Sequence, residues 1–158
     1  MPQSLVHAWN AGRATGQASW KILVLLLALA GHGSPAAALT LSAGAYHTCA
    51  IGESTGELRC WGRGDFGQIG DGFSYHRAAP VAVLTTVSRW RSVASGDYHS
   101  CAITDAGAVW CWGYNAYGQL GDGTSVQRTQ PVPVVGLSSG AVELALGSLH
   151  SCARMQNG

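Results

Sequence analysis

The stretch GDYHSCAITDAGAVWCWGYNAYGQLGDGT (Gly96–Thr124) joins two short apolar segments through a turn. The segments are HSCAIT (His99–Thr104) and AVWCWG (Ala108–Gly113), and the three residues between them end in a glycine. A three-residue hairpin loop of this kind is a type I turn followed by a glycine in the left-handed conformation. The stretch therefore predicts an antiparallel β-hairpin followed by a glycine-rich connection.

The landmarks of this stretch recur along the chain. The histidines of GAYHTCA, GDYHSCA and GSLHSCA are His47, His99 and His150, and CWG and GQ(I/L)GDG recur in the same order at the same offset. A period near 50 residues, filled with short strands and glycine turns, is typical of a β-propeller blade. We therefore predict an all-β fold whose blades have four short antiparallel strands, the fourth at PVPVV (131–135).

The order GxxHxCAI, xVWCWGxNxxGQLGDGT and PVxV resembles the repeat of the regulator of chromosome condensation family over nearly all of residues 41–158. The resemblance implies a seven-bladed β-propeller. The chain would contribute an incomplete propeller, a fragment of about two and a half repeats, at residues 41–92, 93–143 and, truncated, 144–158. That family includes exchange factors for the Ran GTPase, domains of ubiquitin ligases and a secreted β-lactamase inhibitor, so the resemblance implies a fold rather than one function.

The first 38 residues have the layout of a secretory signal peptide. Arg13 and Lys21 precede the apolar run ILVLLLALA (22–30), and small residues follow it. The run is shorter than the roughly 20 residues that span a bilayer. We predict a signal-peptide helix within residues 1–38 and an exported, bacterial-type mature domain at residues 39–158, secreted or periplasmic. The alternative is an uncleaved anchor.

The charge of the predicted mature domain argues against a nucleic-acid partner. Seven arginines stand against eight acidic residues, and only Arg89 and Arg91 lie close together. Proteins that bind nucleic acids normally carry clustered Lys and Arg. We therefore expect a protein partner, with no nucleic acid and, after signal cleavage, no membrane.

Loop length sets two pairs of cysteines opposite each other in the predicted hairpins. A three-residue loop opposes Cys101 and Cys111, and a four-residue loop opposes Cys49 and Cys60. Opposed residues of antiparallel strands lie about 4.5–5.5 Å apart, which suits a disulfide, and an exported protein is oxidised. We predict disulfides Cys49–Cys60 and Cys101–Cys111, and an unpaired thiol at Cys152 that can cross-link two chains.

Other interpretations of the same side chains remain open. His99, Cys101 and Cys111 offer three zinc ligands per repeat, whereas structural zinc takes four. A nucleophilic cysteine needs a thiolate and an adjacent base, and each cysteine here faces another cysteine instead. The GQLGDG segment lacks the Lys-Ser or Lys-Thr of a phosphate loop, and Asp71 and Asp122 lack the other acids of a calcium loop. We expect no catalytic residue, no cofactor and no metal, and hence no enzyme.

The same residues have structural roles in the alternative interpretation. We expect the histidines to hydrogen-bond neighbouring backbone and lock one blade to the next, and Trp61 and Trp112 to pack between blades. The glycines of the two GQ(I/L)GDG segments permit positive φ in a compact connection; they are Gly67, Gly70, Gly72, Gly118, Gly121 and Gly123.

These observations favour an exported, non-catalytic module for protein–protein interaction. The alternative, from the family resemblance only, is a guanine-nucleotide exchange factor for a small GTPase. A third class of function is an enzyme whose catalytic residues lie on the propeller loops. The partner surface would lie on loops 64–72 and 114–123. The candidate contact residues at their tips, which could equally be turn-forming or blade-packing residues, are Asp65, Phe66, Asn115 and Tyr117.

Overall fold

The computed structural model describes residues 40–158, which form ten β-strands and the turns between them. The signal-peptide helix predicted in residues 1–38 lies outside the described residues. Within the described part, no helix is long and apolar enough to cross a membrane. The strands are β1 (Thr40–Ala43), β2 (His47–Ile51), β3 (Leu58–Gly62), β4 (Arg77–Ala82), β5 (Trp90–Ser95), β6 (His99–Thr104), β7 (Val109–Gly113), β8 (Arg128–Pro133), β9 (Ala141–Leu146) and β10 (Ser151–Met155).

The strands form three antiparallel sheets that follow the order of the chain. β1 to β4 make the first sheet, blade 1, and β5 to β8 make the second, blade 2. β9 and β10 pair to form a two-stranded third sheet. The prediction of an all-β fold with four-stranded antiparallel blades is therefore confirmed.

The fourth strand of blade 2 begins earlier than the sequence predicted. It covers Arg128–Pro133 rather than residues 131–135, because Arg128 already pairs with Gly113 across an irregularity in the register with β7. β8 is an edge strand of its sheet. Pro131, which has no N–H to donate, is accommodated at such an edge.

The first strands of blade 2 and of the third sheet begin before the predicted repeat boundaries. The boundaries after residues 92 and 143 fall inside β5 and β9. The reason is a contact with the preceding blade, where the glycine that closes the β2–β3 or β6–β7 loop accepts a hydrogen bond from the start of the next sheet. These bonds join Trp90 N–H to Gly56 C=O (3.1 Å) and Ala141 N–H to Gly107 C=O (3.0 Å).

Both hairpin loops close as the sequence predicted. In blade 2 the N–H of Thr104 donates to the C=O of Ala108 at 2.9 Å across the three-residue loop. In blade 1 the N–H of Gly52 donates to the C=O of Glu57 at 2.9 Å across the four-residue loop. Each loop ends in a glycine with positive φ, Gly56 at 67° and Gly107 at 80°.

The closed loops set the cysteines opposite each other, as predicted. Cys49 pairs with Cys60 and Cys101 with Cys111 in the strand register. Their Sγ atoms lie 2.12 Å and 2.08 Å apart, which is disulfide distance. Both pairs join strands of one blade and are buried between sheets. Cys152 carries an exposed thiol.

Two apolar cores lie between consecutive sheets, and each cysteine pair is part of one of them. Every residue of β6 is buried because sheets cover both of its faces. The core between the blades contains Cys49, Ile51, Leu58, Cys60, Ile69 and Val83 of blade 1 with Trp90, Val93, Ala102 and Trp112 of blade 2. The core beside the third sheet contains Cys101, Ile103, Val109, Cys111, Leu120 and Ala141.

A buried histidine joins blade 1 to blade 2. The Nε2 of His47 lies 2.7 Å from the Oγ of Ser100, and that hydroxyl donates to the backbone C=O of Gln68 at 3.0 Å. Because the serine hydrogen is used on the carbonyl, Nε2 carries the hydrogen of the neutral imidazole. The role predicted for the histidine is correct, although its partner is a serine of the next repeat rather than backbone.

The same arrangement joins blade 2 to the third sheet. The Nε2 of His99 lies 2.8 Å from the Oγ of Ser151, which donates to the C=O of Gln119 at 2.8 Å. Burial, reinforced by repulsion from His150, lowers the pKa of His99 to about 4 although Asp97 opposes the shift. Burial also lowers the pKa of His47 to about 4, so both histidines are neutral in the folded chain at neutral pH.

The two tryptophans at the CWG position have different surroundings. Trp112 is fully buried, and its Nε1–H donates to the C=O of Gln68 of blade 1 at 2.9 Å. Trp61 is only half-buried, because none of the described sheets covers its face of blade 1. The prediction of packing between blades is correct for Trp112 and wrong for Trp61 within residues 40–158.

All six glycines of the two GQ(I/L)GDG segments have positive φ, as predicted. Gly67 and Gly118 occupy the same repeat position and share a φ of 73°. A Cβ on Gly67 would lie 2.8 Å from the carbonyl oxygen of Arg128 and from Thr129 Cα, which belong to blade 2. A Cβ on Gly118 would meet its nearest atom, Thr124 O, at 4.0 Å.

This difference predicts unequal effects of two matched substitutions. Alanine at either site costs about 1–2 kcal/mol of backbone strain, and Gly67→Ala adds about 1–3 kcal/mol because blade 2 must move away. Urea unfolding should therefore show Gly67→Ala to be the less stable variant by that added amount. Equal losses for Gly67→Ala and Gly118→Ala would contradict the contact between the loop of blade 1 and β8.

Candidate functional site

Aromatic side chains form a continuous surface where the two blades and the third sheet meet. The surface is built by three repeat positions: the residue before each histidine, the residue after CWG and the residue before GQ. In both blades the residue after CWG donates its N–H to the C=O of the residue before the histidine, at 2.8 Å and 3.0 Å. We call this surface the aromatic face; its residues are Tyr46, Tyr98, Leu149, Arg63, Tyr114, Phe66 and Tyr117.

The rings of the aromatic face contact one another in a chain that crosses from blade 1 to blade 2. Ring centroids lie 6.2 Å apart for Tyr46 and Tyr98, 5.5 Å for Tyr98 and Phe66, and 5.0 Å for Phe66 and Tyr114. Tyr117 extends the chain at 6.2 Å from Tyr114. These separations and the tilted geometries are those that favour aromatic pairs, so the rings hold one another in place.

A single arginine occupies one end of this face. The guanidinium carbon of Arg63 lies 5.2 Å from the ring centroid of Tyr46 and 5.7 Å from that of Phe66. Its Nε donates to Asp65 Oδ2 at 2.6 Å, and this hydrogen bond raises the pKa of Arg63. The faces of the rings thus attract a cation, and at this end Arg63 supplies one.

The aromatic face is open to solvent. Tyr46 is 54% exposed and Tyr117 is 69% exposed, whereas the rings between them are half-buried. A shallow groove of about 300 Å³ runs along the face from Arg63 of blade 1 to Leu149 of the third sheet. Contiguous exposed apolar surface of this kind marks interaction sites on soluble proteins.

Three of the four predicted contact residues lie on or beside this face. Phe66 and Tyr117 are part of the ring chain, and Asp65 is the ion-pair partner of Arg63. The fourth prediction, Asn115, is wrong because its side chain is fully buried. Asn115, the second residue after CWG in blade 2, is therefore buried inside the loop and does not lie at its tip.

Asn115 instead organises the loop of blade 2. Its Nδ2 donates to Asp122 Oδ1 at 3.1 Å and to the backbone C=O of Thr124 and Val126 at 3.0 Å and 3.1 Å. Its Oδ1 accepts from the N–H of Leu120 at 3.0 Å. The side chain uses nearly its full hydrogen-bonding capacity and so fixes residues 114–126 as one unit.

We predict that removal of the Asn115 side chain loosens the loop of blade 2 locally. Asn115→Ala removes these four hydrogen bonds and leaves the N–H of the buried Leu120 without its partner, which costs about 1–3 kcal/mol for such a group. Hydrogen exchange should accelerate in residues 114–126 while that of β6 stays slow. Gln127→Ala, at an exposed position of the same loop, is the control. Unchanged exchange in Asn115→Ala would show that the loop does not depend on this residue.

The two aspartates of the glycine-rich segments are ion-paired. Arg77 Nε lies 2.5 Å from Asp71 Oδ2, and Arg128 Nε lies 2.8 Å from Asp122 Oδ2. Although burial disfavours its charge, hydrogen bonds from Thr124, Arg128 and Asn115 lower the pKa of Asp122. Residues 40–158 bring no three His, Cys, Asp or Glu side chains together in a metal-binding group.

Sequence reasoning placed Tyr114 only within the predicted surface loop 114–123 and missed the other members of the aromatic face, which are Tyr46, Arg63, Tyr98 and Leu149. A signal was present, because large side chains recur before each histidine and after each CWG. These positions lie at or beyond strand ends, where the alternation of a strand does not say which way a side chain points. Only the packing of neighbouring blades brings them together.

The fold and the site define a protein of repeated four-stranded blades with an aromatic face at the ends of the strands. The sequence profile of the Regulator of chromosome condensation (RCC1) repeat matches residues 55–103 and 106–154, and a second profile of the same repeat matches residues 40–68 and 90–119. The chain therefore belongs to the RCC1 repeat family.

Relatives in sequence are much longer than this chain. It is 33% identical to the Ultraviolet-B receptor UVR8 of Arabidopsis thaliana over 122 residues, 76% of this chain and 28% of the receptor. It is 36% identical to the E3 ubiquitin-protein ligase HERC2 of Homo sapiens over 115 residues, 72% of this chain and 2% of the ligase. The chain thus spans less than a third of these relatives.

Solved structures share the fold. Human WBSCR16 superposes with a TM-score of 0.63 at 23% identity, over 78% of this chain and 33% of that one. Prp20p of Saccharomyces cerevisiae, described with its binding properties to Gsp1p and histones, superposes with a TM-score of 0.55 at 22% identity, over 74% and 30%. At these identities the likeness concerns the fold alone.

Proposed function

We propose that this chain is an exported, non-catalytic RCC1-type module that binds another protein through its aromatic face. The RCC1 repeat is a protein-interaction module, and RCC1-like proteins bind protein partners. The observation that carries the proposal for this chain is the line of mutually supported rings, from Tyr46 to Tyr117, that ends in exposed side chains on both blades. Asp65, Phe66 and Tyr117 remain candidate contact residues.

The chemistry of this face suits a protein partner. Tyrosine gives large contact area with few rotatable bonds, and Tyr, Trp and Arg dominate the binding energy of interfaces. Neighbouring rings already hold Tyr98 and Tyr114 in place, so binding would cost little side-chain entropy.

The basic side chains do not favour a phosphate-rich partner. Six of the seven arginines of residues 40–158 are ion-paired, and the seventh, Arg91, donates to the backbone carbonyl of Ala141. A nucleic-acid site needs free Lys and Arg side chains, because these neutralise phosphates and release the counterions of the nucleic acid. The pairs are Arg59–Glu57, Arg63–Asp65, Arg77–Asp71, Arg89–Asp105, Arg128–Asp122 and Arg154–Glu143.

Export is the second part of the proposal. We propose that residues 1–38 are a signal peptide and that the mature domain, residues 39–158, is oxidised outside the cytoplasm. The two cysteine pairs at disulfide distance support this, because disulfides persist in oxidising compartments. An exchange factor for a small GTPase would work in a reducing compartment, so the redox state of these cysteines separates the two hypotheses.

Site-specific photo-cross-linking tests the interaction face. Benzoylphenylalanine would replace Tyr46 or Tyr117 in the full chain, expressed in a host that exports it, and adducts would be identified by mass spectrometry. The control position is Val135, which is 71% exposed and follows the edge strand β8. The proposal predicts one shared protein adduct at Tyr46 and Tyr117 and none at Val135. Equal labelling at all three positions, or no adduct at any, would overturn it.

A further inference from the structure

A groove of about 330 Å³ lies between blade 1 and blade 2, on the side of their fourth strands. Both of its walls belong to four-stranded sheets, and it is separate from the aromatic face. One wall is the segment that follows β4, and the other is formed by β7 and β8. The lining residues are Leu84, Thr85 and Thr86 of blade 1 and Trp110, Gln130 and Pro131 of blade 2.

Backbone contacts hold the two walls of this groove in place. The N–H of Leu84 donates to the C=O of Gly70 at 2.8 Å, and the N–H of Gly72 donates to the C=O of Thr129 in blade 2 at 2.9 Å. A Cβ on Gly72 would lie 3.2 Å from Leu84 Cδ2 and 3.3 Å from Gln130 Nε2, so side chains of both walls meet there. A groove that is already formed costs a ligand little ordering of the protein.

The indole of Trp110 is the distinctive feature of the groove. The same repeat position in blade 1 holds Arg59, so the repeat itself does not call for an indole there. Trp110 is half-buried and packs against the core between the blades. Trp112 donates its Nε1–H to Gln68 C=O, whereas no residue among 40–158 accepts a hydrogen bond from Trp110 Nε1–H. The groove thus offers a ring and an indole donor to a ligand.

The lining of the groove is uncharged and rich in hydrogen-bond donors. It contains no Asp, Glu, Lys, Arg or His, so a charged ligand group would lose hydration without finding an ion-pair partner. The indole of Trp110, the amide of Gln130 and the hydroxyls of Thr85 and Thr86 can all donate hydrogen bonds. The groove is therefore complementary to a neutral, partly apolar ligand that presents acceptors.

We propose that this groove binds a proline-rich segment of another protein in the polyproline II conformation. Proline has no N–H, and polyproline II leaves its carbonyls without internal hydrogen bonds, so such a segment brings acceptors to the donors of the groove. Its rings pack against Trp110, Leu84 and Pro131, as proline-rich segments do in aromatic-lined grooves. A sugar is less complementary, because its hydroxyls also donate and no carboxylate lines the groove. The site does not depend on the function proposed for the aromatic face.

Fluorescence anisotropy with labelled decaproline tests the site on the full, exported chain. Leu84→Asp places a charge in the groove and should weaken binding by about tenfold or more, because the bound carboxylate would lack a partner. Val135→Asp, at the same repeat position in blade 2, should leave the affinity unchanged. Both side chains are exposed, Leu84 by 53% and Val135 by 71%, so neither variant disturbs the core.

The indole N–H signals in a nitrogen–proton NMR spectrum report which tryptophan meets the peptide. Decaproline should shift the signal of Trp110, which is assigned by its loss in Trp110→Phe, and should leave that of Trp61 in place. Trp110→Phe keeps a ring but removes the donor, so its affinity for decaproline should fall by about threefold to tenfold. This readout separates a hydrogen bond from the indole from simple contact with the groove.

Three results would overturn the proposal. The first is that decaproline does not bind, or binds Leu84→Asp as tightly as the unsubstituted chain. The second is that cellohexaose displaces decaproline and shifts the Trp110 signal, because a sugar would then be the occupant. The third is self-association of the chain that Leu84→Asp abolishes and Val135→Asp does not, because a second copy would then cover the groove.

Discussion

Replacing Trp112 with alanine is expected to lower the free energy of unfolding by about 3–5 kcal/mol, the range for large aromatic residues in a core. The side chain is fully buried between the blades and donates to Gln68 C=O. The substitution leaves a cavity against Gly70 in the core between the blades. Chemical denaturation followed by circular dichroism of the backbone, which does not rely on the tryptophan signal, would measure the loss in the free energy of unfolding.

Two further variants show which part of the side chain matters. Trp112→Phe keeps a ring but leaves the Gln68 carbonyl with the Ser100 hydroxyl as its remaining side-chain donor, so a loss of about 1–2 kcal/mol is expected. Trp61→Ala, at the same repeat position but half-buried, should cost less than Trp112→Ala. Equal losses for the two alanine variants would contradict the account of blade packing.

Lowering the pH from 8 to 5 is expected to destabilise the chain by about 2 kcal/mol for each of two histidines. Burial, and to a lesser extent repulsion from His99, lowers the pKa of His47 to about 4, and His99 is lowered to the same value. The unfolded chain binds protons near pH 6.5 and the folded chain does not. Stability is therefore complete above pH 6.5 and is lost as the pH falls toward 4.

The pH dependence has a specific structural origin. Protonation adds a hydrogen to Nδ1, which in both His47 and His99 is buried without a hydrogen-bond partner. His47→Gln and His99→Gln should each remove about half of the loss between pH 8 and pH 5. A loss between pH 8 and pH 5 that is as large in both variants as in the unsubstituted chain would refute the histidine assignment.

Loop length and glycine placement made the hairpins predictable. The register that opposes Cys101 and Cys111 follows from counting residues through the loop, and Gly107 has the positive φ that such a loop requires. These features depend only on local chain geometry. The four-stranded blade was predictable from the repeat period, because each of its strands pairs with its neighbour in sequence.

Contacts between repeats were not predictable in the same way. The serine that bonds His47 belongs to the next repeat, and its pairing depends on how one blade lies against another. Asn115 was misassigned because asparagine is common at turn tips, whereas here four backbone and side-chain groups converge on it. The aromatic face escaped prediction for the same reason.

The intact mass of the exported product, with and without reduction and thiol alkylation, tests the central claim most directly. The full chain would be expressed with its own leader in an export-competent host. An oxidised, exported RCC1-type module predicts loss of residues 1–38, two disulfides, Cys49–Cys60 and Cys101–Cys111, and one alkylatable thiol at Cys152. An uncleaved chain with all five cysteines alkylated without reduction would contradict it and would favour a function in a reducing compartment.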